Sequence, residues 1–285
     1  MKSDIRHAEY PFRDRILDLS RPRIMGVLNL TPDSFSDGGL FISPNAALDR
    51  IGQMVEQGAD IIDAGGESTR PGSEGISAGE ELDRVMPVLE KAVPEFGNTF
   101  FSVDTTKYEV AEAALKLGVH MVNDVSGFQK EPGLADLCAE YRAGYILMHS
   151  QGDPKTMQEN PEYDDIILDL RDFFSARLKK ITASGVTSII LDPGIGFGKT
   201  VSHNLKIISE LDKFTEFGYP LLVGASRKSM IGRLLNGRPV EDRLTGTVAI
   251  HYHCMMNGAG ILRVHDVKDA RDSVQIFNAV QAAQS

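Results

Sequence analysis

The densest group of side chains able to do chemistry is Ser226, Arg227, Lys228 and Ser229, inside the stretch PLLVGASRKSMIG from Pro220 to Gly232. An apolar run, Leu221 to Val223, precedes it, and the spacing of Met230, Ile231, Leu234 and Leu235 that follows predicts a helix. Cations and hydroxyls there, with the N–H groups of a helix start, suit a polar or anionic ligand over a strand end. A solvated turn would read the same way in isolation. Similar endings recur, however: Asn29; Glu67, Ser68, Thr69 and Arg70; Asp104; Asn123 and Asp124; His149; Asp192; Arg263 and His265 each close a short apolar run. Asp104, Asn123 and Asp192 suit a planar heterocycle presenting N–H donors beside a carbonyl, to which Lys228 can donate. Asn29, Arg263 and His265 look instead like an anion site. Asp192 has a second reading, because Asp-Pro-Gly is strong turn chemistry.

What must position these groups is a repeating unit. Apolar runs at Ile24 to Leu30, Asp60 to Ala64, Thr99 to Val103, His120 to Val122, Tyr145 to Met148, Ser188 to Leu191, Leu221 to Val223 and Ile261 to Val264 read as strands. Segments of helical spacing alternate with them: Pro44 to Gln57, Ala78 to Val93, Lys107 to Leu117, Leu134 to Tyr141, Tyr163 to Ser184, Asn204 to Phe217, Asp242 to Met256 and Asp266 to Ala282. Gly58, Gly118 and Gly185 follow helices where a left-handed cap is expected. Eight such units in 285 residues predict an α/β protein, a single (β/α)8 TIM barrel over 23–285, with 1–22 a charged, irregular N-terminal extension. An open doubly wound sheet is the alternative. Closure would gather every strand ending at one rim and make strands one and eight neighbours. The glycine-rich loops Thr31 to Ser43 and Gly65 to Ile76 would then lie over that rim as mobile lids.

Composition excludes several classes. The net charge of -10 argues against a nucleic-acid or acidic-membrane partner. The first twenty residues lack the apolar core of a signal peptide, and no uncharged window is long enough to span a membrane. Cys138 and Cys254 have no metal or redox spacing, which fits buried thiols in a reducing cytoplasm. GIGFGKT, Gly194 to Thr200, ends like a phosphate-binding loop but has Pro193 where that motif needs its first glycine. His251, His253 and Cys254 fall on different faces of a predicted helix and make a poor metal site.

Taken together, MGVLNLTPDSFSDGG (Met25 to Gly39), GGESTRPG (Gly65 to Gly72), SVDTTK (Ser102 to Lys107), VND (Val122 to Asp124), MHSQGDPKTMQ (Met148 to Gln158), LDPGIGFGK (Leu191 to Lys199), GASRKS (Gly224 to Ser229) and LRVHDV (Leu262 to Val267) closely resemble dihydropteroate synthases. The resemblance implies a transferase of folate biosynthesis. It would join 6-hydroxymethyl-7,8-dihydropterin diphosphate to 4-aminobenzoate, releasing diphosphate, with Mg2+ on the diphosphate. It also implies roles: Asp104, Asn123, Asp192 and Lys228 for the pterin; Asn29, Arg263 and His265 for the diphosphate, Asn29 also near the metal; Thr69, Arg70, Phe197, Lys228 and Ser229 around aminobenzoate. A homodimer through the last helices and sensitivity to sulfonamides are further implications. Ser150 departs from the Met common in such sequences, and Ser126 to Pro132 follows no strict pattern. A folate-dependent methyltransferase domain, built on the same barrel, is the rival reading.

Overall fold

The computed structural model describes residues 9–31, 43–69, 72–152, 157 and 161–283. Arg70, most of the loop after Leu30 and part of the stretch from Gly152 to Gln158 therefore lie outside the described residues.

A short antiparallel hairpin, β1 (Glu9–Phe12) and β2 (Arg15–Asp18), comes first. Eight parallel strands follow: β3 (Arg23–Asn29), β4 (Ile61–Gly65), β5 (Phe100–Asp104), β6 (Met121–Asp124), β7 (Gly144–Met148), β8 (Ile189–Asp192), β9 (Leu221–Val223) and β10 (Ala259–Val264). They form a closed barrel, β10 pairing with β3 so that Arg263 lies opposite Met25. The open sheet is thereby excluded. Around the barrel run α1 (Pro44–Glu56), α2 (Ala78–Glu95), α3 (Tyr108–Leu117), α4 (Gly133–Glu140), α5 (Ile166–Ala183), α6 (Val201–Ser209), α7 (Ser229–Leu234), α8 (Leu244–Met256) and α9 (Val267–Ala282).

Local chemistry sets the helix ends. Ser77 and Glu80 form a reciprocal capping box at α2, and the Asp165 carboxylate accepts from the Ile167 and Leu168 N–H groups to start α5. That cap places the start of α5 after Tyr163, where spacing alone had put it. Gly118 ends α3 in the left-handed region, at φ +115°. The segment expected as one helix from Asn204 to Phe217 is broken at Glu210: α6 stops at Ser209 and a tighter 3-10 turn runs from Leu211 to Phe217. Another such turn, Val240–Arg243, occupies the start expected for α8.

Two cores share the barrel wall because successive strand residues face opposite sides. Ile24, Leu28, Ile62, Phe101, Val103, Val122, Tyr145, Leu147, Leu191 and Val223 belong to the shell beneath the helices. Met25, Ile61, Phe100, Met121, Ile146, Ile190, Leu222 and Ile261 fill the barrel interior. One strand step of two further on, those interior positions become Val27, Asp63, Ser102, Asn123, Met148, Asp192, Gly224 and Arg263, five of them polar. The barrel is thus apolar at its base and polar at its mouth.

The hairpin closes that base. Tyr10, Phe12, Leu17 and Leu19 join the interior cluster, and Phe12 is fully buried. Arg15 donates to the carbonyls of Gly97, Asn98 and Thr99 and lies 4.2 Å over the Phe100 ring. The Ser188 hydroxyl donates to the Pro11 carbonyl at 2.5 Å. The opening residues, read from composition as irregular, therefore contain a structured plug, whose charges serve the rim of the barrel while its four apolar side chains enter it.

Candidate active site

Thr69, Asp104, Asn123, Val125, Met148, Asp192, Ile195, Phe197, Gly224, Lys228 and Arg263 surround one narrow recess at the C-terminal ends of the strands. Six expected polar residues from six different strands or their loops therefore meet: Thr69, Asp104, Asn123, Asp192, Lys228 and Arg263. Asn29 and His265 close β3 and follow β10, both half-buried, and are not among the residues lining this recess. Ser229 opens α7 and is exposed. A wider recess of about 250 Å³ adjoins, sharing Thr69, Val125 and Phe197 and adding Thr106, Ser126, Gln129, Lys130 and Ser150.

Asp63 organises this mouth. Fully buried, it accepts from Arg263 Nε at 2.7 Å and from Asn123 Nδ2 at 3.0 Å through the same Oδ2. Arg263 Nη2 donates to Asp104 Oδ2 at 2.8 Å. The guanidinium is thus held between two carboxylates, an arrangement suited to its fork geometry. Asp63 Oδ1, Asp104 Oδ1 and Asn123 Oδ1 are buried without a hydrogen-bond partner. Buried orphan acceptors are costly, so three together mark a place where ligand donors complete the set. Asp63 escaped sequence reasoning because it sits inside a strand rather than at its end. Its signal was a lone acid in the apolar run IIDAG, in phase with Ile61.

Burial shifts the ionisable groups. Desolvation pushes the Asp104 carboxyl up, and the Arg263 guanidinium paired with it opposes that and favours the carboxylate; desolvation pushes Asp192 up to about 6 against the Gly194 N–H and Lys228. Desolvation and Arg263 bring Lys228 down to about 8. Its Nζ lies 4.0 Å above the Phe197 ring, within cation–π range. Burial and the neighbouring Arg263 push His265 down to about 4, so its imidazole is neutral at pH 7. The Ser226 hydroxyl contacts both the His265 backbone N–H (3.2 Å) and Nδ1 (3.1 Å).

Other members of the expected set turn elsewhere. Arg227, at φ +56°, points its guanidinium to Asp266 in two bonds of 2.8 and 2.6 Å. Asp124 anchors the loop after β6 by accepting from Tyr145, Ser126 and Phe128. His149 packs against Lys199. Glu67 meets Lys107 at 2.5 Å, and Lys107 also bridges to buried Glu81. This cluster ties down the base of the loop that carries Thr69. Among the described residues no group of three or more His, Cys, Asp or Glu could hold a metal ion. The Asp-Pro-Gly turn is real, since Gly194 N donates to Asp192 Oδ1 at 2.7 Å, yet the same carboxylate lines the recess.

Residues 25–265 match the family described as pterin binding enzyme. The chain is 46% identical over 270 residues to dihydropteroate synthase of Escherichia coli K12, covering 94% of this chain and 95% of that protein. The Yersinia pestis dihydropteroate synthase, solved with a sulfonamide drug, superposes with a TM-score of 0.91 at 44% identity, covering 96% of this chain and 99% of that one. The Xanthomonas albilineans dihydropteroate synthase in complex with 7,8-dihydropteroate gives a TM-score of 0.86 at 38% identity, covering 96% and 99%.

Proposed function

This chain belongs to the dihydropteroate synthases, within the pterin-binding enzymes, and from that premise we propose how its own residues divide the reaction. The enzyme is a transferase of folate biosynthesis. It condenses 6-hydroxymethyl-7,8-dihydropterin diphosphate with 4-aminobenzoate to give 7,8-dihydropteroate and diphosphate.

In our reading the pterin ring lies in the inner recess. Asp192 accepts its amino and ring N–H groups, Lys228 donates to its carbonyl, and Asn123 and Asp104 meet the remaining polar edge. The observation that carries this is the trio of buried unpaired oxygens on Asp63, Asp104 and Asn123 in one mouth. Arg263 retains Nη1 without a protein partner among the described residues, and with Asn29 and His265 it faces the diphosphate. His265 acts there as a neutral N–H donor. Thr69, Phe197, Lys228 and Ser229 border aminobenzoate, together with Arg70.

As the C–O bond to diphosphate lengthens, positive charge grows on the pterin methylene and negative charge on the leaving oxygen. Asp104 favours the first and Arg263 the second, each already oriented by the other. The aromatic amine then attacks an electron-poor carbon and loses its proton, with no covalent enzyme intermediate. Pterin substituents that raise or lower cation stability should change the rate in the same sense; insensitivity to them would rule out this order.

Asn29 supplies an amide oxygen, a hard donor of the kind Mg2+ accepts, and that ion commonly takes few protein ligands beside substrate phosphates and water. Bound there, Mg2+ would neutralise charge on the departing diphosphate. We further infer a homodimer through α8 and α9, supported by exposed Met256, Ile276 and Val280, the last two one helical turn apart. Sedimentation of a monomer at micromolar concentration would reject it. A cytoplasmic location is supported by two buried free thiols, and recovery from a secreted fraction would contradict it.

The deciding assay follows diphosphate release from the pterin diphosphate with and without 4-aminobenzoate. Release should depend on the amine and fall by about 10²-fold or more in K228M, which removes a preorganised donor. A K228M enzyme of wild-type rate would dismiss the assigned role.

A further inference from the structure

Lys199 is 3% exposed and lies in the loop joining β8 to α6. Its ammonium touches four acceptors: His149 Nδ1 at 2.9 Å and the carbonyl oxygens of His149 at 3.2 Å, Gly194 at 2.9 Å and Phe197 at 3.0 Å. A buried ammonium has three N–H groups to place, and here three backbone carbonyls and an imidazole surround it. Two of the carbonyls belong to the turn 194–197, which is also closed by Phe197 N donating to Gly194 O at 3.1 Å. Three further bonds hold the same loop: Gly196 N to Asn204 Oδ1, Asn204 Nδ2 to Thr200 O, and Tyr163 OH to Gly198 O. The turn 194–197 ends at Phe197, whose ring lies beneath Lys228 Nζ.

We propose that Lys199, seated against His149, is a positioning residue that sets the Phe197 ring and thereby the wall shared by the pterin recess and the aminobenzoate side. This rests on the reading that Phe197 borders aminobenzoate. Lys199 touches no substrate itself. It gathers the carbonyls of a glycine-rich turn in which Gly194, Gly196 and Gly198 all have positive φ, a conformation that residues with a Cβ rarely adopt. The charged and titratable groups facing it are His149, Asp192 and Lys228. Burial, with Lys228 adding to it and Asp192 opposing, brings Lys199 down to about 7. The full set of donors is therefore present below neutrality and one is lost above it.

Steady-state kinetics of K199M, K199R and F197A test this. F197A should raise the KM for aminobenzoate; if it does not, the placement of Phe197 beside that substrate fails, whatever Lys199 does. If F197A raises it, K199M should raise the same KM by roughly tenfold, the effect of one charge-assisted buried hydrogen bond. K199R, which keeps donors on a charge that does not titrate, should restore it. In the wild type that KM should climb between pH 6 and 9, and in K199R the climb should be reduced. A folded K199M with unchanged aminobenzoate KM overturns the proposal. Should K199M not fold, a wild-type KM flat over that pH range, or a K199R climb equal to it, overturns it equally.

Discussion

Arg263 Nη2 donates to Asp104 Oδ2 at 2.8 Å although 159 positions separate the two residues. The bond spans the barrel mouth from its last strand to its third. It exists because β10 pairs with β3, bringing the end of the chain back beside its beginning. Asp63, on the second barrel strand between them, accepts from the same guanidinium.

Asp63 should therefore matter for stability as well as for turnover. Replacing it with Ala leaves the half-buried guanidinium with one carboxylate and the Asn123 amide without its acceptor. The D63A enzyme should lose about 3 kcal/mol of unfolding free energy, as when a buried pair is broken. Chemical denaturation checks this, and a change below about 0.5 kcal/mol would mean that Arg263 has another anchor.

Asp192 makes pterin binding depend on pH. Desolvation raises its carboxyl to about 6 in the empty site, and only the ionised form accepts two N–H donors. Affinity for a pterin should hold above pH 6 and fall by about tenfold per pH unit below it. D192N should bind weakly with that dependence removed, as calorimetry can establish. Stability runs the other way: the unfolded carboxyl loses its proton first, so Asp192 stabilises the empty fold below pH ~4 and that contribution fades as pH rises to about 6.

Phe12 tests the plug. Truncation to Ala empties space at the barrel base, where Phe12 is fully buried. A loss of about 3–5 kcal/mol in stability is expected, with the KM for the pterin substrate unchanged. A large change in that KM in folded protein would show that the hairpin is coupled to the mouth.

Sulfonamides should inhibit in competition with aminobenzoate, the Thr69 and Phe197 walls being present in the recess. Inhibition patterns at varied aminobenzoate decide it. Failure to inhibit at high drug concentration would count against this expectation.

The sequence determined the repeating units, their number and the polar character of the strand ends, because those are local properties. A strand of period two and a helix of period 3.6 leave marks within a few residues. Asp104, Asn123, Asp192, Lys228 and Arg263 were legible as strand-end groups, and the motifs around them carried the family likeness. The plug was not, since its charged residues hid the four side chains that matter. The break in the helix after Ser209 and the inward turn of Asp63 were equally obscure. Only tertiary structure decided that Arg227 pairs with Asp266 while its neighbour Lys228 enters the recess, and that Asp63 grips Arg263. The first outcome rests on the neighbouring strands β9 and β10, with partners 39 positions apart; the second depends on closure, which brings partners 200 positions apart together across the barrel seam. No window of sequence contains both sides of that seam.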